Sequence, residues 1–150
     1  LEYRGQAVEL PYSGAALRVP PNLLLIGTMN SADRAVAILD QALRRRFAFV
    51  HFAPDPDLLR RYLAARPPAP LWPADFLVAL NDRLADDGVG YDYHIGHSYF
   101  MRPDLDLAAV ERAWTFAIRP TLAEIFYAHP LRLDAYDQLA AQFFARHAAR

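Results

Sequence analysis

An apolar run that ends at a polar amide, followed by a helix that ends in three arginines, is a layout suited to handling phosphates. The chain carries it as Ile26-Gly27-Thr28-Met29-Asn30-Ser31-Ala32-Asp33-Arg34 and then as Leu39-Asp40-Gln41-Ala42-Leu43-Arg44-Arg45-Arg46-Phe47. Phosphoryl transfer is catalysed chiefly by positioning a water and by neutralising charge spread over phosphate oxygens. The amide of Asn30 both donates and accepts, so at the C-terminal end of a strand it can hold a water against a terminal phosphate. The arginine fork is planar and always charged, and it can reach a phosphate held by a neighbouring subunit. Each piece also has a plainer use. An asparagine after a strand serves as a turn residue, and arginines closing a helix complement its dipole and meet solvent. Asp33 and Arg34 can form a surface pair worth little.

Other chemistry is thinly represented. His94 and His97 have spacing compatible with a shared metal, but no carboxylate or third ligand accompanies them, so no metal site is expected. Cysteine is absent, which excludes disulfides and thiolate metal sites and suits the cytoplasm. All 16 basic residues counted as Lys or Arg are arginine. A phosphate-gripping Walker A loop needs a Gly-rich turn followed by Lys-Ser or Lys-Thr, so this chain cannot contain one. The formal charge of −1 advertises neither a nucleic-acid-binding face nor an acidic-membrane surface. No apolar run approaches the length of about 20 residues that spans a bilayer. Leu1 stands where an initiator Met would, and the chain is expected to lie inside a longer polypeptide.

These residues need elements to position them. Ala7-Val8-Glu9-Leu10 and Ala16-Leu17-Arg18-Val19 flank the turn-rich Pro11-Tyr12-Ser13-Gly14 and predict a hairpin. Leu23-Leu24-Leu25-Ile26, closed by Pro20-Pro21 and Gly27, reads as a buried strand of a parallel sheet. Ser31 or Asp33 can cap a helix over 35–46, with Val36, Leu39 and Leu43 on one face. Residues 47–52 alternate enough for a second strand. Pro54-Asp55-Pro56-Asp57 breaks the chain and marks a boundary. Helices are predicted over 57–66, 74–86, 107–127 and 133–149, with Pro120 kinking or dividing the third. The two expected domains are thus an α/β portion over 1–53 and an all-helical one over 54–150, with helix predominating.

The run from Pro20 to Phe52 resembles the second half of an AAA+ core as found in the McrB family. That family carries an Asn-Thr-Ala-Asp-Arg signature and then an Ala-Leu-Arg-Arg-Arg-Phe element. Here the first stands as Asn30-Ser31-Ala32-Asp33-Arg34, with serine keeping the threonine hydroxyl, and the second matches throughout from Ala42 to Phe47. Ile95-Gly96-His97-Ser98-Tyr99-Phe100-Met101 and the stretch from Trp114 to Tyr127 are similar to the McrB-type lid. The resemblance covers nearly the entire chain in two separated blocks.

The resemblance implies that Asn30 is the sensor 1 residue beside water and terminal phosphate. It implies that Arg45 and Arg46 include the arginine finger acting on a neighbouring pocket, with Arg44 a weaker candidate, and that Asp33 organises the subunit interface or the catalytic water. Many AAA+ lids place an arginine where Gly96-His97-Ser98 sits, and Arg102 lies slightly beyond. Either His97 and Ser98 line the nucleotide pocket instead, or the lid contributes only shape; the pocket role is the expectation carried forward. The resemblance further implies GTP or ATP with Mg2+ and a ring of neighbouring subunits, expected to be hexameric. A McrC-type nuclease would be the partner, and DNA would be bound through an N-terminal domain outside this chain. Lacking Walker A and B segments, the isolated chain is expected to be inactive. Two other classes remain open: a piece of a chaperone-like remodelling ATPase, and a non-catalytic structural or interaction module.

Overall fold

A computed structural model describes residues 4–29 and 45–148. The chain divides into two compact units, Leu1–His51 and Phe52–Arg150. The predicted helix over 35–46, with its capping candidates Ser31 and Asp33, lies outside the described residues apart from Arg45 and Arg46.

In the first unit the predicted hairpin forms. Strand β1 (Ala7–Glu9) pairs antiparallel with β2 (Ala16–Arg18) in the register Ala7↔Arg18, Val8↔Leu17 and Glu9↔Ala16. The connection closes through the Leu10 N–H donating to the Ala15 carbonyl at 2.9 Å and the Gly14 N–H donating to the Leu10 carbonyl at 3.0 Å. Gly14 turns the chain at φ 63°, a left-handed conformation that side-chain-bearing residues rarely adopt. The Arg4 guanidinium donates to the carbonyls of Pro21 at 2.9 Å and Leu23 at 2.7 Å, fastening the Pro20-Pro21 turn to the start of the hairpin.

Two sequence expectations are not met among the described residues. Residues 23–26 and 47–52 are not strands among the described residues, and no parallel sheet forms from them. Leu24 is 83% exposed and Ile26 95%. A parallel strand needs ladder partners and a layer over each face. Among the described residues the first unit supplies one two-stranded ladder and no covering helix. None of its described residues is buried, and only Val19 reaches intermediate exposure.

The second unit is helical. Helix α1 spans Pro56–Ala64, α2 Trp72–Asp86, α3 Leu107–Ala113, α4 Arg119–Ile125 and α5 Leu133–Ala148. Helix α1 starts at a proline because that position has no intrahelical partner for its N–H, and the Asp55 carboxylate accepts the Leu58 N–H at 2.8 Å. Helix α2 likewise tolerates Pro73 in its first turn, and so begins before the predicted Ala74. It ends in a Schellman arrangement. The Val89 N–H donates to Leu84 and the Gly88 N–H to Ala85, with Gly88 at φ 77°.

The predicted third helix is divided where Pro120 requires it. Pro120 has no N–H, and its ring crowds the carbonyl four residues back. The chain widens into a π-helical turn over Trp114–Ile118, in which the Arg119 N–H reaches the Trp114 carbonyl, before α4 continues. One apolar core joins the elements of this unit. Leu59 and Leu63 from α1, Phe76, Leu77, Leu80 and Leu84 from α2, Val110, Ile118, Leu122 and Tyr136 are all fully buried. Burying each aliphatic or Phe side chain of this set contributes about 1.5–3 kcal/mol. Phe76 lies at its aromatic centre, with ring centroids of Phe143 at 5.1 Å, Phe144 at 5.7 Å, Trp114 at 5.9 Å and Phe100 at 6.0 Å.

Candidate functional site

The block Ile95-Gly96-His97-Ser98-Tyr99-Phe100-Met101 sits between α2 and α3 and contains a single 3-10 turn, His97–Phe100. A turn this short cannot hold its own position, so its fixation must come from outside. Three attachments supply it. Ile95 and Phe100 are buried in the core of the helical unit and anchor both ends. Asn81, in the middle of α2, grips the Ile95 backbone twice: its side-chain amide donates to the Ile95 carbonyl at 3.0 Å, and its oxygen accepts the Ile95 N–H at 2.7 Å. That pairing imitates a β-ladder using one side chain, and it satisfies the backbone polar groups of a buried residue. The third attachment is His97, whose Nδ1 accepts the Asp55 N–H at 3.0 Å.

The last contact settles the imidazole's chemistry. Because Nδ1 is an acceptor, the neutral ring carries its proton on Nε2. His97 is half-buried, and Ser98 beside it is exposed. The pair can therefore present an N–H and a hydroxyl to a ligand from a backbone fixed at both ends. His94 is also half-buried. Its Nε2 is buried without a protein partner, and its ring lies 5.1 Å from that of Tyr91. Among the described residues, no group of three His, Cys, Asp or Glu side chains is placed to hold a metal ion.

A polar node stands at the far end of α2. The Asp87 carboxylate accepts from the Tyr136 hydroxyl at 2.8 Å and from Arg83 Nε at 3.2 Å, and its main-chain carbonyl accepts from Arg132 at 3.0 Å. Burial opposes the Asp87 charge, but the Tyr136 hydroxyl bond and the Arg83 guanidinium outweigh it and hold the carboxyl below its ordinary value. Tyr136 moves the other way: burial first, then the bond to Asp87, pushes its hydroxyl well above the usual tyrosine value. At the α1–α2 contact, Arg60 bridges Asp75 at 2.6 Å and Asp57 at 2.7 Å, which raises the guanidinium value further.

Of the residues named from sequence, the structure places His97 and Ser98 side by side on this block. Arg45 and Arg46 lie in an exposed turn of the first unit. Asn30, Asp33 and Arg44 lie outside the described residues. Sequence reasoning missed Asn81 and Asp55. Asn81 had a signal: asparagine is a poor residue for a helix interior, and its presence at mid-helix asks for a side-chain partner.

Within the helical unit, residues 73–134, the pinned turn among them, match the family described as McrB, alpha-helical lid domain. The chain is also 32% identical over 126 residues to the type IV methyl-directed restriction enzyme EcoKMcrB subunit of Escherichia coli (strain K12), a match covering 76% of this chain and 28% of that protein. The chain belongs to the McrB-type AAA+ proteins. It spans little more than a quarter of the length of this relative. Among the described residues, no helix is long and apolar enough to cross a membrane.

Proposed function

We propose that this chain is the sensor, arginine-finger and lid part of a McrB-type motor that hydrolyses GTP or ATP with Mg2+. Residues 1–53 belong to its α/β core and 54–150 form the lid. Asn30 positions the attacking water against the terminal phosphate, and Asp33 organises the subunit interface or that water. Arg45 and Arg46 reach the phosphate held by the next subunit of a ring, a hexamer. His97 and Ser98 line the nucleotide pocket from the lid. The motor serves modification-dependent DNA restriction together with a McrC-type nuclease, and an N-terminal domain binds the DNA.

The observation that carries this reading is the immobilised lid block. Asn81 grips the backbone of Ile95 and the Asp55 N–H binds His97, so the turn that carries the half-buried His97 and the exposed Ser98 is tied down on both sides, in a stretch that matches the McrB lid family. Catalysis by positioning needs such rigidity, since a loosely held donor cannot stabilise charge without reorganising. The test is steady-state hydrolysis of GTP and ATP, side by side, by the full-length protein and its Asn30→Ala variant. The expected outcome is KM within about twofold and kcat lower by roughly 100-fold, because the lost interaction belongs to the transition state. Equal loss of binding and turnover, or unchanged turnover with both nucleotides, would refute the assignment.

A further inference from the structure

The N-terminus of α1 is capped in an unusual way. In a capping box, the N-cap side chain accepts the N–H three residues on, and the side chain at that third position reaches back to the N-cap N–H. Here Asp55 performs the first half on Leu58 at 2.8 Å. Leu58 cannot perform the second, since it has no acceptor. The Asp55 N–H instead donates to His97 Nδ1, 42 residues away in sequence and inside the lid block. We propose that His97 is a positioning residue that completes the α1 cap from the lid block, so that the beginning of the helical unit and the His97-Ser98 turn are held as one piece.

The geometry assigns the two ring nitrogens different tasks. Nδ1 serves the Asp55 backbone, and the neutral ring therefore directs its one N–H, at Nε2, elsewhere. If a nucleotide phosphate or base accepts from Nε2, the ring connects the ligand to the start of α1 through a single rigid plane. Only this second task rests on the functional reading above; the cap stands on its own contacts.

Hydrogen–deuterium exchange of the full-length protein, read at the Asp55 amide, tests the cap. In His97→Ala, exchange at Asp55 is expected to quicken roughly fivefold, the factor corresponding to loss of one net hydrogen bond. Adding Leu58→Gln to His97→Ala places an acceptor at the third helical position, where a capping box has one, and protection at Asp55 is expected to return. Leu58 is 37% exposed, so the exchange of leucine for glutamine leaves the core intact. Unchanged exchange in His97→Ala, or no recovery in the double variant, overturns the proposal.

His97→Asn separates the two tasks, because its side-chain oxygen can stand in for Nδ1 while nothing replaces Nε2. The expected result is Asp55 protection as in the parent together with a KM for GTP or ATP raised several-fold. Protection kept with both KM values unchanged upholds the cap and removes the nucleotide contact. Protection lost overturns the cap.

Discussion

The two units of this chain are built from equally apolar sequence and reach opposite outcomes. The first contains Leu23-Leu24-Leu25-Ile26 and the aromatic run after Arg46, yet none of its described residues is buried. The second encloses Phe76, Phe100, Tyr136 and a row of leucines completely. The difference lies in layers. In the second unit α1, α2, α3, α4 and α5 surround a common centre, so every apolar stripe meets another. In the first unit the described residues form one small hairpin, and their apolar side chains stay exposed, where hydrophobicity contributes nothing until a second surface covers them.

Substitutions can break or sharpen that contrast. The largest effect is expected at Phe76, whose ring lies beside five other aromatic rings. Phe76→Ala should cost about 3–5 kcal/mol in urea unfolding followed by helical circular dichroism. A loss under 1 kcal/mol would mean that the core of the second unit is not closed.

An intermediate effect is expected at the polar node. Tyr136→Phe removes the hydroxyl bond to a charged carboxylate that is only 17% exposed and should cost about 1.5–3 kcal/mol near neutral pH. The pH dependence has two limbs. Asp87 is held below its ordinary value of 3.8, so its contribution is complete above that pH and is lost as pH falls through the lower folded value. Tyr136 is held above its ordinary value of 10.0, so its contribution is complete below pH 10 and is lost as pH rises through the higher folded value. Tyr136→Phe should flatten the stability profile at both ends, and parallel profiles for the two proteins would disprove the coupling.

The smallest effect is expected in the first unit. Ile26→Ala in the 150-residue chain should shift stability by less than about 0.5 kcal/mol, since the side chain is 95% exposed. A cost comparable to that of Phe76→Ala would erase the distinction between the units.

Much of the helical unit was legible before the structure. The 3.6-residue periodicity located all its long helices, and the prolines set their limits: α1 stops short of Pro67, and Pro120 divides the stretch from Leu107 to Ile125. The paired blocks around Asn30 and Ile95 pointed to the McrB family, and the lid match over 73–134 agrees. The strands expected over 23–26 and 47–52 are not formed among the described residues, because an apolar run reports a need for cover, not the presence of one. Asp55 was visible as part of a chain break but not as the partner of His97, because that bond joins residues 42 positions apart.

What the chain determines locally is settled within one or two helical turns, by caps, prolines, the Gly88 turn and the spacing of leucines. These interactions close over a few residues, and their partners can be counted from the sequence. Which side chain answers the Asp55 N–H, why Asn81 occupies the middle of a helix, and which apolar runs escape water were decided only by packing. Those outcomes depend on surfaces brought together from distant parts of the chain, and one-dimensional order does not say which surfaces will meet.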